Sequence, residues 1–447
     1  MAMEKYSAKY HVPADAALDV LRKHMLVDGF DFVLDYDKSS GSRIVDKRNG
    51  KTYLDFFTFF ASAPLGMNHP KMLEENFIHF LGRVSVNKPS NSDIYTEGMA
   101  TFVNTFFKIA VPDYFVHSFY VSGGALAVEN ALKTAIDWKV RKNMRKGIAG
   151  EKGTRILHFK HAFHGRTGYT MSLTNTDPIK IAYFPKFDWP RVTNPHMTFP
   201  MNEENTAKTI ALEKQSIAEI KQAFIDYKDD IAAIIIEPIQ AEGGDNHFRN
   251  EFMRALREIA DENEALLIFD EVQTGGGLSG TFWCHEQFGV IPDIISFGKK
   301  MQVCGVLATS RIDDIDDNVF HTSSRINSTW GGNYADMIRA TKFLEIIEEE
   351  NLLQNVRNMS VPFNEYIRKL VENFPEKLSN PRGRGLISAF DFDTNANRNE
   401  FIKRCWDYQL IVLSCGDRSI RFRPSLNICR AEVDDGFEIM NRVMKTM

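Results

Sequence analysis

The sequence predicts an α/β fold, a mostly parallel sheet covered by helices on both faces, on three observations. Short apolar runs recur through the middle of the chain: FYVS (119–122), RILHF (155–159), IAAIIIEP (231–238), ALLIFDE (265–271) and DIISFG (293–298). These runs are continuous rather than alternating, as expected of strands buried on both faces. The segments between them keep helical spacing, with Ile217, Ile220 and Phe224 at i, i+3, i+7 and Phe252, Leu256 and Ile259 at i, i+4, i+7. Strand–helix alternation at this interval predicts a large domain over residues 61–330.

At 447 residues the chain exceeds one ordinary core, and its flanks read differently. Residues 1–60, with RIVDKRNGKTYLDFF, are expected to pack with a smaller C-terminal domain over residues 331–447. That domain opens on TKFLEIIEEENLLQNVRNMSVPFNEYIRKLVENF, a long helix with an expected break at Pro362. It continues as a shorter αβ pattern through GLISAFDF, LIVLSC and IRFRP. A net charge of −5 argues against nucleic acid or an anionic membrane as partner. No stretch approaches the ~20 apolar residues of a membrane span, and MAMEKYSAKYHVPADAALDVLRKHM lacks the uninterrupted apolar run of a signal peptide. The five cysteines, Cys284, Cys304, Cys405, Cys415 and Cys429, form no C-x-x-C pair, so a reducing cytoplasm is the expected setting.

Chemistry-bearing residues collect where the apolar runs end. VHSFYVSGGALAVENALKTAIDW reads as strand, tight turn and helix, with Gly124 and Ala125 at the helix start. Free N–H groups and the positive helix end there suit a phosphate, although a glycine turn that only packs helix on strand has the same pattern. Neither G-x-G-x-x-G nor G-x-x-x-x-G-K-[ST] is present, which argues against a nicotinamide oxidoreductase and a P-loop. RILHF runs into HAFHGRTGYT, where Phe163 could stack on a ring and Arg166 could grip a carboxylate. His164 beside them reads as a hydrogen-bonded structural histidine. LLIFDEVQTGGG puts Asp270 at a strand end, the edge where open α/β sheets collect ligands, and PDIISFGKK puts Lys299 and Lys300 at the next. A lysine among cationic or apolar neighbours becomes a Schiff-base former. A strand-end acid, a strand-end lysine and a phosphate cradle together are the equipment for pyridoxal phosphate. EPIQAEGGD adds Glu237 and Glu242, and IRFRP adds Arg421 and Arg423. A Glu able to pair with an Arg near a carboxylate site could act as a switch, or be a plain salt bridge.

The segments SGGALAVENALK, AFHGRTGYT, IIEPIQAEGGD, LLIFDEVQTGGG, PDIISFGKK and RFRP together resemble the class III (ω-amino acid) aminotransferases, from GKTYLDFF to the end of the chain. The resemblance implies fold type I, with a seven-stranded, mostly parallel sheet in the large domain and a smaller α+β domain. It implies pyridoxal 5'-phosphate as cofactor and a homodimer with shared active sites. On matching positions it implies Lys299 as the Schiff-base lysine and Asp270 as the partner of the pyridine nitrogen. Gln273 falls near the ring hydroxyl, Phe163 on the ring, and Gly124 and Ala125 on the phosphate; relatives often carry Ser or Thr where Ala125 offers only its N–H. Thr329 would bind the phosphate of the other subunit. Arg166, Arg421, Glu242 and Asn327 fall on substrate-binding positions, with Glu242 masking Arg421 in turn. Lys300 is implied to be a neighbour, able to lower the pKa of Lys299 if it points there. MLVDGFDFVLD, NKPSNSDIY, FPKFDWPR, GKKMQVCG and SRINSTWGGN resemble the lysine-specific branch, which implies L-lysine as amino donor and 2-oxoglutarate as acceptor. The 4-aminobutyrate and ornithine branches share the central residues and stand as alternatives.

Overall fold

The structure is a computed structural model describing residue 6 and residues 8–447. Residues 1–5 and 7 of the expected N-terminal segment lie outside the described residues. The strands in chain order are β1 (Arg43–Val45), β2 (Thr52–Asp55), β3 (Phe115–Val121), β4 (Arg155–Phe159), β5 (Arg191–Val192), β6 (Ile231–Ile236), β7 (Leu266–Asp270), β8 (Ile294–Phe297) and β9 (Cys304–Thr309). They are followed by β10 (Leu378–Arg384), β11 (Ile387–Phe392), β12 (Leu410–Ile411), β13 (Leu413–Cys415) and β14 (Ser419–Phe422).

Seven strands form the central sheet in the order β3-β9-β8-β7-β6-β4-β5. β5, β4, β6, β7 and β8 run parallel, and β9 runs antiparallel to both neighbours. All five apolar runs of the sequence are strands here; β5 and β9 had no such signal. β9 is antiparallel because only residues 298–303 separate it from β8, too few for the crossover of a dozen or more residues that a parallel return needs.

The continuous apolar runs have a direct cause in the layering. Ile235, Ile268 and Ile294 face a cluster with Val128, Leu132 and Trp138 of the helix Gly124–Arg145. Ile234, Ile236, Leu267 and Phe269 face the opposite cluster, with Phe252 and Leu256 of the helix Asn250–Glu262. Alternate side chains of one strand thus serve two layers, and each fully buried Ile contributes on the order of 2 kcal/mol. This sandwiching holds the carboxyl ends of β6, β7 and β8 in one rigid row.

The C-terminal strands form an antiparallel sheet in the order β10-β11-β14-β13, and β12 pairs parallel with β2 beside β1. Gly436 marks where these segments meet: a Cβ there would lie 2.3 Å from the Phe56 ring. The expected break at Pro362 is corrected. The helix Leu352–Asn373 runs through Pro362, and the interruption falls earlier, at Asn351, after the helix Tyr334–Glu349. Asn351 takes φ +49, a left-handed conformation that Asn tolerates better than most residues. The proline costs one helical hydrogen bond, and Phe363, Ile367 and Leu370, all buried in the main core, hold the helix across it.

No helix among the described residues is long and apolar enough to cross a membrane.

Candidate active site

The carboxyl ends of β6, β7 and β8 deliver Glu237, Asp270 and Lys299 to one cavity of about 320 Å³. β4 leads into Phe163 and Arg166 on its wall, and the helix following β3 supplies Gly124 and Ala125. Gln273 completes the set of predicted residues that line it. The helix Gly124–Arg145 begins on Gly123, at φ +121, with no side-chain cap. Its first-turn N–H groups therefore remain available to an anion, aided by the helix dipole.

Asp270 is buried and held by three donors. His164 Nδ1 lies 2.7 Å from Oδ2, while Ser296 Oγ and the Val272 N–H donate to Oδ1 at 3.0 and 3.1 Å. His164 is itself buried, and its Nε2 has no partner among the described residues. Glu237 stands behind both, its carboxylate accepting from the N–H groups of Phe163 and Ala241. Burial pushes Glu237 up to about 7, the His164 contribution pulling it down and the Asp270 charge adding to the rise. His164 and Glu237 are thus part of the site. The histidine read as structural is in contact with the central carboxylate.

The Lys299 amine lines the cavity with no hydrogen bond or ion pair among the described residues. Burial, then the charges of Arg421 and Arg423, bring its pKa down from 10.5 to about 8. Its backbone sits at φ +51, which a non-glycine residue adopts only at a cost of about 1–2 kcal/mol. Lys300 points elsewhere. Its buried Nζ donates to the carbonyl oxygens of Gln273 at 2.7 Å and Ala61 at 3.5 Å. Ala61 ends the turn Thr58–Ala61, whose four residues all have positive φ. The charges that bring Lys299 down are those of Arg421 and Arg423.

Those arginines come from β14 and the residue just beyond it. Arg421 Nη2 donates to Glu242 Oε2 at 3.0 Å, and its Nη1 donates to Gln273 Oε1 at 3.1 Å. Arg423 is fully buried and paired with Asp245 through both carboxylate oxygens. Glu242 is also bound from the other side, by Lys180 Nζ at 2.5 Å. Burial alone would raise Glu242; Arg421 and Lys180 outweigh it and hold the carboxyl below its ordinary range. Gly243 lets this loop close on the neighbouring turn, since a Cβ there would meet the His161 carbonyl oxygen at 1.9 Å.

Arg166 is exposed at the mouth, 5.9 Å over the Phe163 ring, with no carboxylate partner among the described residues. Asn327 and Thr329 are not brought to the cavity; both are exposed in the segment before the helix Tyr334–Glu349. Sequence reasoning missed Lys180 altogether, because it stands in a loop with no strand end or repeat to mark it.

The donor set suits a flat, phosphorylated heteroaromatic aldehyde: an uncapped helix start, a ring beside it, a buried carboxylate for a ring nitrogen and an unpaired amine for the carbonyl. Over residues 27–444 the chain matches Aminotransferase class-III. The chain belongs to the class-III aminotransferases. This aminotransferase is 50% identical over 425 residues to L-lysine-epsilon aminotransferase of Mycobacterium tuberculosis, covering 94% of this chain and 93% of that one. It is 47% identical to the protein of that name from Streptomyces clavuligerus, over 94% and 92% of the two chains. The probable mitochondrial 4-aminobutyrate aminotransferase of Caenorhabditis elegans is 30% identical, over 93% and 88%. The solved structure of lysine aminotransferase from M. tuberculosis in the internal aldimine form superposes with a TM-score of 0.95 at 48% identity, covering 97% of this chain and all of that one. This aminotransferase therefore has the fold-type I architecture.

Proposed function

We propose that this aminotransferase moves the ε-amino group of L-lysine to 2-oxoglutarate, with pyridoxal 5'-phosphate as its cofactor. The observation that carries the reading is the gap in similarity: 47–50% identity to lysine enzymes over nearly the whole chain, against 30% to a 4-aminobutyrate enzyme. The products are 2-aminoadipate 6-semialdehyde, which closes to 1-piperideine-6-carboxylate, and L-glutamate.

When bound, the cofactor supplies a carbonyl carbon for the substrate nitrogen and a ring that takes up electrons released at Cε. The N–H groups of Gly124 and Ala125 would hold its phosphate, Phe163 would serve as the stacking face for the ring, and Gln273 would serve the ring hydroxyl. Asp270, braced by His164, Ser296 and Val272, keeps a proton on the ring nitrogen. Lys299, which lines the cavity, would be the amine that anchors the cofactor and the base that moves the proton from Cε. A pKa of about 8 rather than 10.5 raises its neutral fraction at pH 7 by roughly 300-fold.

Arg166, free at the mouth, takes the α-carboxylate of lysine. Arg421 is masked by Glu242 at that stage, because an unpaired buried guanidinium beside a cationic substrate would be costly. For 2-oxoglutarate the mask opens and Arg421 takes the α-carboxylate, with Arg166 on the distal one. Asn327 and Thr329 complete the site of a second copy in a homodimer, which accounts for their exposure in the single chain. The test is a donor panel with 2-oxoglutarate, reading glutamate formed. L-Lysine is expected to outrun L-ornithine and 4-aminobutyrate. Preference for either of those would overturn the choice of donor.

A further inference from the structure

Glu242 is held by two cations, one on each carboxylate oxygen. Arg421, which also donates to Gln273 on the wall of the Lys299 cavity, binds Oε2 at 3.0 Å; Lys180 binds Oε1 at 2.5 Å. Lys180 and Glu242 both line a second cavity of about 470 Å³, distinct from the one that holds Lys299. Lys180 ends the short turn Pro178–Lys180, and its side chain is only 17% exposed. Its amine also lies 5.7 Å over the Phe163 ring. Arg398 on the same cavity is 7% exposed, donates Nε to Asn399, and leaves Nη1 unpartnered among the described residues. The acidic groups on that cavity besides Glu242 are Asp177 and Asp417.

The geometry points to Lys180 as the second berth of the Glu242 switch: it keeps Glu242 neutralised when that carboxylate leaves Arg421 to admit a dicarboxylate, and the 470 Å³ cavity receives it. The inference rests on the switch described under the proposed function and assigns what that switch lacks. Opening Arg421 brings the carboxylate of a 2-oxo acid to the place Glu242 vacates. Without a second cation, a half-buried Glu242 would then lie unpaired beside an incoming anion. A charge already paired gains less from a second partner than a lone charge does. Lys180 therefore stabilises the open arrangement more than the closed one, and so favours dicarboxylate binding. Lys180 touches neither reacting atoms nor cofactor in this scheme; it is a positioning residue.

Glutarate, a dicarboxylate with no carbonyl to react, is titrated into holoenzyme and its dissociation constant read from the cofactor's visible band. Lys180→Met is expected to weaken glutarate about tenfold or more, the loss of a charge-assisted contact. Lys180→Arg should stay within about threefold of wild type. In single turnovers, the loss with 2-oxoglutarate should exceed the loss with the amine donor by a similar factor. In a Glu242→Gln background, Lys180→Met should change glutarate binding by less than about twofold, because there is no carboxylate left to berth. Unchanged glutarate binding in Lys180→Met would overturn the inference. So would an equal loss with Glu242→Gln present, which would mean that Lys180 meets the ligand directly. Lys180→Gln is the second neutral variant should the Met form be unfolded. Glutarate binding is independent of the amine donor, so failure of lysine to react would overturn the proposed donor and leave this test intact.

Discussion

Replacing Lys299 by Met is expected to stabilise the cofactor-free protein while ending its activity. The fold holds this amine where its charge is disfavoured, first by burial and then by Arg421 and Arg423. Its pKa falls from 10.5 to about 8, so protonated Lys299 costs about 3 kcal/mol of stability at pH 7. That cost is fully present below pH 8, fades between 8 and 10.5, and is gone above the unfolded value. Met keeps the length and the apolar stem, loses the charge, and inherits the same backbone at φ +51. Urea unfolding of the two cofactor-free proteins, at matched protein concentration, reads the difference. Lys299→Met should gain about 3 kcal/mol at pH 7 and about 1 kcal/mol at pH 10. A less stable Met variant at pH 7, or a gain of the same size at both pH values, would refute this reasoning.

Asp270→Asn keeps the shape but not the charge; turnover is expected to fall by orders of magnitude, while pyridoxal phosphate still binds as judged by its visible band. Glu242→Ala leaves Arg421 unmasked, so the lysine half-reaction should weaken more than the 2-oxoglutarate half-reaction; equal losses in stopped-flow single turnovers would remove the switch. Arg423→Met strands the fully buried Asp245 carboxylate and should cost about 3–5 kcal/mol in urea unfolding, much of it recovered when Asp245 is made Asn as well.

The parts of this protein legible in the sequence are those set by the sheet. Asp270 and Lys299 each follow an apolar run, and an apolar run buried on both faces reads as a strand whatever surrounds it. β9 was illegible as a partner because nothing local distinguishes an antiparallel return from another crossover strand; the short spacing after β8 is what decides it. Pro362 misled because propensity marks a break that core packing of Phe363 and Ile367 overrides. Arg421 and Glu242 were visible as residue types, and only the family resemblance implied their pairing, because it joins segments that the tertiary fold brings together. His164 and Lys180 act through contacts made by loops, where no periodicity reports what a side chain meets. Thr329 and Asn327 are exposed in the segment before the helix Tyr334–Glu349 and do not line the Lys299 cavity.

The most direct test of the proposed reaction follows a nitrogen atom. Holoenzyme is mixed with L-lysine labelled with nitrogen-15 at the ε position only, freed of excess substrate, and chased with 2-oxoglutarate in a single turnover. If the ε-amino group is the one transferred, the glutamate formed carries the label, and the trapped aldehyde product is unlabelled at its remaining α-nitrogen. Unlabelled glutamate, or no glutamate from lysine under conditions where ornithine or 4-aminobutyrate gives it, would contradict the assignment.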